Sequence, residues 1–257
     1  MASFWKLGGL AAGAALTLTV GMTSPAEASL YQVGFLLDSS GSIGAGGWST
    51  ITNGLANAIH LFAEAPDQYE LSVVSFSTGT ATIINKQIVT NANLISLKNA
   101  ITGASWLDSN TNYQAAFNAI TSVMDPAHSQ AAASYVNFAT DGKPNRPFGD
   151  PEQDGIDARN AAITAGIDNI SVEGIGGDVN ATYLKNSICY PTVCSTSTPP
   201  TGFPGKGFYI AIASVDDYGA AIQTKIKTII NTPEPASVAV LGSALVGIAA
   251  LARRRRR

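Results

Sequence analysis

Residues 33–37 read Val-Gly-Phe-Leu-Leu, an apolar run with neither charge nor polar alternation. That pattern marks a strand buried on both faces, which occurs where a parallel sheet is covered by helices on each side. The run ends abruptly at Asp38-Ser39-Ser40-Gly41-Ser42. One carboxylate and two hydroxyls therefore fall at alternate positions just past the C-terminal end of a strand. In open α/β sheets, that edge is where ligands bind. Three hard oxygen donors in so short a stretch suit a hard cation such as Mg²⁺. The same residues also suit a Ser/Gly turn in which Asp38 or a serine caps the next helix.

Two later stretches bear on that choice. Residues 110–117, Asn-Thr-Asn-Tyr-Gln-Ala-Ala-Phe, predict a helix with Thr111 at its start. Residues 135–142, Tyr-Val-Asn-Phe-Ala-Thr-Asp-Gly, predict a second apolar strand ending in Thr-Asp-Gly. Together with the first stretch, these resemble the von Willebrand factor type A family and its metal-ion-dependent adhesion site. The family's pattern is Asp-x-Ser-x-Ser, then a Thr, then an Asp, each on a separate loop at the top of the sheet. The matching positions are Asp38, Ser40, Ser42, Thr111 and Asp141. The resemblance covers roughly residues 30–230. It implies Mg²⁺ as the cofactor, with Mn²⁺ or Ca²⁺ as substitutes, and a protein ligand that supplies a carboxylate to the metal. It also implies that the three hydroxyls meet the ion directly while Asp38 and Asp141 act largely through bound waters.

The rest of the chain alternates between strand and helix signals. Apolar residues at Ile51, Leu55, Ile59 and Phe62 predict a helix over 48–62. Strands are predicted at 71–76 and 80–89, with Gly79 between them, and in the resembled fold this pair supplies the one antiparallel edge. Helices follow at 93–102 and 111–124, a strand at 135–140, a helix at 152–165 and a strand at 169–175. A last strand at 208–213 precedes a helix with Tyr218, Ile222, Ile226 and Ile229 in phase. Such alternation predicts a doubly wound, Rossmann-like α/β fold, mainly parallel, with helices on both faces.

The two ends read differently from the body. Residues 1–28 combine a Lys near the start, a Gly/Ala-rich apolar core over 7–20 and a small-x-small Ala26-Glu27-Ala28 site. These are the parts of a secretory signal peptide, cut by signal peptidase after Ala28. A first membrane helix is the alternative, but the core is shorter than the roughly 20 residues that span a bilayer. At the other end, Pro233-Glu234-Pro235 precedes a small and apolar run over 236–252 and then five arginines, Arg253 to Arg257. That arrangement resembles the PEP-CTERM sorting signal of exopolysaccharide-producing Gram-negative bacteria. The resemblance implies tethering to the inner membrane through the C-terminal helix, processing by exosortase, and release or display outside the cell. A plain tail anchor with a basic stop is the alternative.

The expected domain is thus residues 29–231. Within it nine Lys and Arg stand against sixteen Asp and Glu, a net of −7. An acidic body argues against a nucleic-acid partner. Charged residues make up 13% of the chain, against about 25% in ordinary globular domains, a tendency that fits an exported protein. The two cysteines, Cys189 and Cys194, lie in a Thr/Ser/Pro-rich segment over 188–207. In an exported chain they are expected to pair as a small loop staple. No His or second Cys pair accompanies them to build a zinc site.

No enzymatic role is expected. The two histidines, His60 and His128, fall at a distance in sequence from the Asp38 loop, and neither a Gly-x-Ser-x-Gly elbow nor a phosphate loop is present. Asn110, Asn112 and Lys143 flank the expected site, as ligand contacts or as turn and cap residues. Trp48 and Trp106 fall near the top loops, either exposed or in the core. Two functional readings follow. One is a metal-dependent binding module at the cell surface. The other is a structural matrix or biofilm protein in which the metal only stabilises the fold.

Overall fold

The computed structural model describes residues 28–231, apart from 193, 198 and 199. The chain runs β1 (Leu30–Asp38), α1 (Gly44–Ala58), α2 (His60–Glu64), β2 (Gln68–Phe76), β3 (Thr80–Ile88) and α3 (Leu94–Thr102). It continues with α4 (Tyr113–Met124), β4 (Ala133–Thr140), α5 (Pro151–Thr164) and β5 (Asn169–Ile175). A single turn, α6 (Ala181–Tyr183), leads through a wider turn at Leu184–Ile188 to β6 (Tyr209–Ile212) and α7 (Tyr218–Ile230). The strands form one six-stranded sheet in the order β3-β2-β1-β4-β5-β6. All neighbours are parallel except β2 and β3, so the doubly wound fold and its antiparallel edge are as expected.

β1 lies inside the sheet, with Phe35 level with Val73 of β2 and Asn137 of β4. Its alternation divides the core in two. Tyr31, Val33, Phe35 and Leu37 pack with α1 and α7 on one face, through Leu55, Ile222 and Ile226. Leu36 packs with Val136, Phe138 and the α4 residues Phe117 and Ile120 on the other. Gly34 lets α4 approach closely, because a Cβ there would come within 3.0 Å of Ile120 Cγ1. The outer strand β3 is largely exposed, and its register with β2 slips twice. Lys86 sits near these slips with a positive φ of 45°. Such irregularity blunts an open sheet edge.

Some element ends differ from expectation for local reasons. The helix expected over 48–62 is two pieces that break at Ile59, although Ile51, Leu55, Ile59 and Phe62 are all buried as its spacing implied. Helix α4 begins at Tyr113, because the Asn112 side chain accepts the Ala115 N–H at 2.9 Å and caps the helix. Thr111 is therefore left in the preceding loop. Cys189 and Cys194 form a disulfide in the segment beside β5 and β6. That segment docks through bridges between Ile170 and Tyr190 and between Ser195 and Phe208.

Two expectations fall on residues that are not described. The signal peptide over residues 1–28 falls outside the described residues except for Ala28, and the Pro233-Glu234-Pro235 signal with its apolar run and arginines lies after Asn231. Among the described residues, no helix is long and apolar enough to cross a membrane.

Candidate metal centre

Parallel strands β1 and β4 end side by side, so their following loops meet at one edge of the sheet. Asp38 is the last residue of β1 and is fully buried. Its Oδ1 accepts the Ser40 N–H at 2.9 Å, and its Oδ2 accepts the Thr140 hydroxyl at 2.6 Å. The hydroxyls of Ser40 and Ser42 lie 3.2 Å apart. The Ser42 hydroxyl donates to Asp141 Oδ1 at 2.8 Å. Thr111 faces the same spot. A Cβ built on Gly142 would lie 3.9 Å from Ser42 Oγ and 4.0 Å from Thr111 Oγ1. All five residues singled out in the sequence thus converge. Asp38, Ser40 and Thr111 form a buried floor, while Ser42 is exposed and Asp141 half-buried at the mouth.

Residues outside these five hold this arrangement. The Ser39 hydroxyl accepts the Leu107 N–H at 2.8 Å, and the Trp106 indole donates to the Ser40 carbonyl at 3.1 Å. Trp106 therefore supports the Asp38 loop, whereas Trp48 is a core residue whose indole donates to the Ala104 carbonyl. Asn145 clamps the other two loops together. Its Oδ1 accepts the Thr111 N–H at 3.0 Å, and its own N–H donates to the Thr111 carbonyl at 2.9 Å. The Tyr113 hydroxyl donates to the Gly142 carbonyl at 2.8 Å and lies 3.1 Å from the Thr140 hydroxyl. Of the flanking residues, Asn112 caps α4, the Asn110 N–H donates to Thr78 Oγ1 at 3.2 Å, and Lys143 is exposed.

The electrostatics of the cluster favour an added cation. Burial pushes the Asp38 carboxyl up to about 6, against the hydrogen bonds from Ser40 and Thr140 that hold it down. Burial also raises Asp141, and the nearby charge of Asp178 adds to the shift. Two carboxylates are thus crowded together, and among the described residues neither makes an ion pair. The donor set fits a small hard cation. Oxygen ligands at 2.0–2.1 Å in an octahedron stand about 2.9 Å apart along each edge. The Ser40–Ser42 separation of 3.2 Å is close to that value, and the Ser42 hydroxyl donates to Asp141, which leaves the Ser42 lone pairs free for an ion. Among the described residues, no group of three or more His, Cys, Asp or Glu is placed to hold a metal, so a cation here relies on hydroxyls. Beside the cluster is a shallow depression of about 210 Å³, lined by Ser42, Ile43, Asp141, Gly176, Asp178 and Val215.

The histidines do not contribute. His60 follows the far end of α1, with its Nδ1 2.6 Å from the Asn57 carbonyl oxygen. His128 follows α4 and pairs with Asp125 at 2.7 Å.

Solved structures share this fold. Two crystal forms of proximal thread matrix protein 1 from the mussel byssus match with TM-scores of 0.60 and 0.57, each at 14% identity. They cover 77% of this chain and 48% and 47% of the mussel chain. The same mussel protein with a zinc-occupied MIDAS motif matches at 16% identity and a TM-score of 0.59, covering 79% of this chain and 46% of that one. A von Willebrand factor type A structure from Catenulispora acidiphila matches at 15% identity and a TM-score of 0.58, covering 77% of this chain and 42% of that one. This chain therefore spans about half or less of the length of these proteins. No curated protein matches it in sequence. The sequence profile of the von Willebrand factor type A domain matches residues 32–200, most of the chain, and the protein belongs to that family.

Proposed function

We propose that this protein is a divalent-metal-dependent binding module, exported to the surface of a Gram-negative cell, and that it engages a carboxylate of a protein partner. The observation that carries this reading is the spacing of Ser40, Ser42 and Asp141 oxygens over the buried Asp38 carboxylate. Ser40, Ser42 and Thr111 would meet the cation with neutral oxygens, and Asp38 and Asp141 would orient its waters. An ion held mainly by neutral groups keeps most of its positive charge, and so attracts one further anionic ligand from outside. Mg²⁺ is the preferred ion, since it favours octahedral oxygen ligation with waters retained. Thr140, Asn145 and Trp106 fix the loops that present these oxygens, as partners behind metal ligands do.

Export rests on residues 1–28 and on the sorting signal around Pro233, Glu234 and Pro235. It makes signal peptidase, exosortase and the inner membrane the expected processing partners. Catalysis has no place in this reading. The carboxylates beside the ion are already committed to orienting its waters, and neither histidine lies at this edge of the sheet.

The test is a thermal melt of the intact protein in EDTA, Mg²⁺, Mn²⁺ and Ca²⁺, with Asp38→Ala as the control. Millimolar Mg²⁺ or Mn²⁺ is expected to raise the melting temperature of the wild type and leave the variant unchanged. Equal melts in EDTA and metal would overturn the metal centre. A metal-stabilised protein with no chelation-sensitive partner would be a structural component instead.

A further inference from the structure

The loop that follows Asp141 does more than deliver a carboxylate. The backbone N–H groups of Asn145 and Arg146 both donate to the Thr111 carbonyl, at 2.9 and 3.1 Å. Arg146 therefore stands directly beside a residue of the candidate centre. Its guanidinium lies 3.9 Å from the centroid of the Phe148 ring. Phe148 is 82% exposed, the most exposed large hydrophobic side chain among the described residues. Lys143 is exposed in the same loop, and among the described residues neither it nor Arg146 makes an ion pair. A solvent-exposed phenyl ring held under a guanidinium buries no core surface. Aromatic and Arg side chains are, however, the types that carry binding energy at protein interfaces.

The body carries a net of −7, yet Lys143 and Arg146 stand in the loop between Asp141 and Asp150 that hydrogen-bonds the Thr111 carbonyl. The depression beside Ser42 and Asp141 is lined by Asp178. Charges placed around a site in this way orient a ligand and set its register more than they add affinity.

Resting on the proposed function, we infer that this rim selects an acidic peptide segment of the partner. One carboxylate reaches the centre, a second acidic side chain pairs with Lys143 and Arg146, and an apolar side chain lies against Phe148. The acidic flank at Asp178 sets the direction of the segment, because a second carboxylate placed there would be repelled.

A random peptide display library panned on the intact immobilised protein in Mg²⁺, and eluted with EDTA, tests this. The expected consensus holds two or more Asp or Glu and an aromatic or aliphatic residue. Against the synthetic consensus peptide, Arg146→Glu and Phe148→Ser are each expected to lower affinity at least about tenfold. A peptide with Lys in place of its second acid should regain affinity for Arg146→Glu. Peptides that elute with EDTA but lack a second acid, or that bind Arg146→Glu and Phe148→Ser as well as wild type, overturn the inference and leave the metal-dependent module standing. Failure to enrich any EDTA-eluted peptide counts against both. Melts of the two variants should match wild type, since both side chains lie outside the core.

Discussion

The Thr140 hydroxyl donates to Asp38 Oδ2 at 2.6 Å and so ties the end of β4 to the end of β1 beneath the candidate centre. The bond matters twice. It supplies one of the few donors that a fully buried carboxylate has, and it fixes how Asp38 faces Ser40 and Ser42. Thr140→Val keeps the side-chain shape and removes the donor. Partners of this kind govern metal affinity by about 10–100-fold. We expect Thr140→Val to weaken Mn²⁺ or Mg²⁺ binding within that range, read by calorimetric titration, while the sheet stays folded. An unchanged affinity would show that Asp38 is oriented by other contacts.

Protonation of Asp38 gives a second prediction. Burial holds its pKa at about 6, above the ordinary 3.8. Between those values the folded chain binds more protons than the unfolded chain, so metal-free stability falls as pH rises across that window and is level above it. A bound cation needs the ionised form, and metal affinity therefore moves the opposite way. In EDTA, the melting temperature should decline from about pH 4 to about pH 6. The rise produced by Mg²⁺ should be small at about pH 5 and reach its plateau above about pH 7. In Asp38→Asn the metal-free decline should largely vanish. A decline that persists there would assign the effect to Asp141 or Glu173, which burial also raises.

The legible parts of this site are those encoded locally. Asp38, Ser40 and Ser42 are neighbours in sequence at the end of an apolar strand, whereas Thr111 and Asp141 are located by resemblance to the von Willebrand factor type A pattern, each beside an apolar periodic segment. What braces them comes from far away in the chain. Trp106 supports Ser40 across 66 residues, and Asn145 grips Thr111 across 34. No local rule marks either residue as a brace. Boundary errors had local causes, such as the Asn112 cap that starts α4 after Thr111. The buried charge in β5 did leave a signal. Glu173 interrupts an otherwise chargeless strand, and Lys225 falls on the buried face of α7, three residues after Ile222.

The disulfide yields a prediction confined to one edge of the molecule. Cys189 and Cys194 are five positions apart, and the loop they close docks against the start of β5 and of β6. The candidate centre lies at the opposite, C-terminal ends of the strands. Chain-entropy arguments give a ring this short about 2 kcal/mol. Cys189→Ser with Cys194→Ser should therefore lower unfolding free energy by about that amount in urea titrations. The Mg²⁺-induced shift should be unchanged. A loss of metal response in the double variant would show that the loop reaches the centre.

The last prediction concerns how α7 is held on the sheet. Lys225 Nζ and Glu173 Oε1 are in ionic contact at 2.6 Å, and both side chains are fully buried. Neither has a further hydrogen-bonding partner among the described residues, and the Lys225 ammonium lies 5.3 Å from the centroid of the Phe208 ring. Burial pushes Glu173 up and Lys225 down to about 8, while their mutual attraction opposes both shifts. Desolvating two ions consumes most of their Coulomb gain, so the intact pair adds little net stability. Removing one partner is different, because it strands the other charge in an apolar layer. Lys225→Met alone and Glu173→Leu alone should each cost about 3–5 kcal/mol. The double variant should recover most of that loss, giving strongly non-additive values in a double-mutant cycle followed by urea denaturation. Additive losses would mean that the two charges are separately solvated and that α7 is held by Ile222, Ile226 and Ile229 alone.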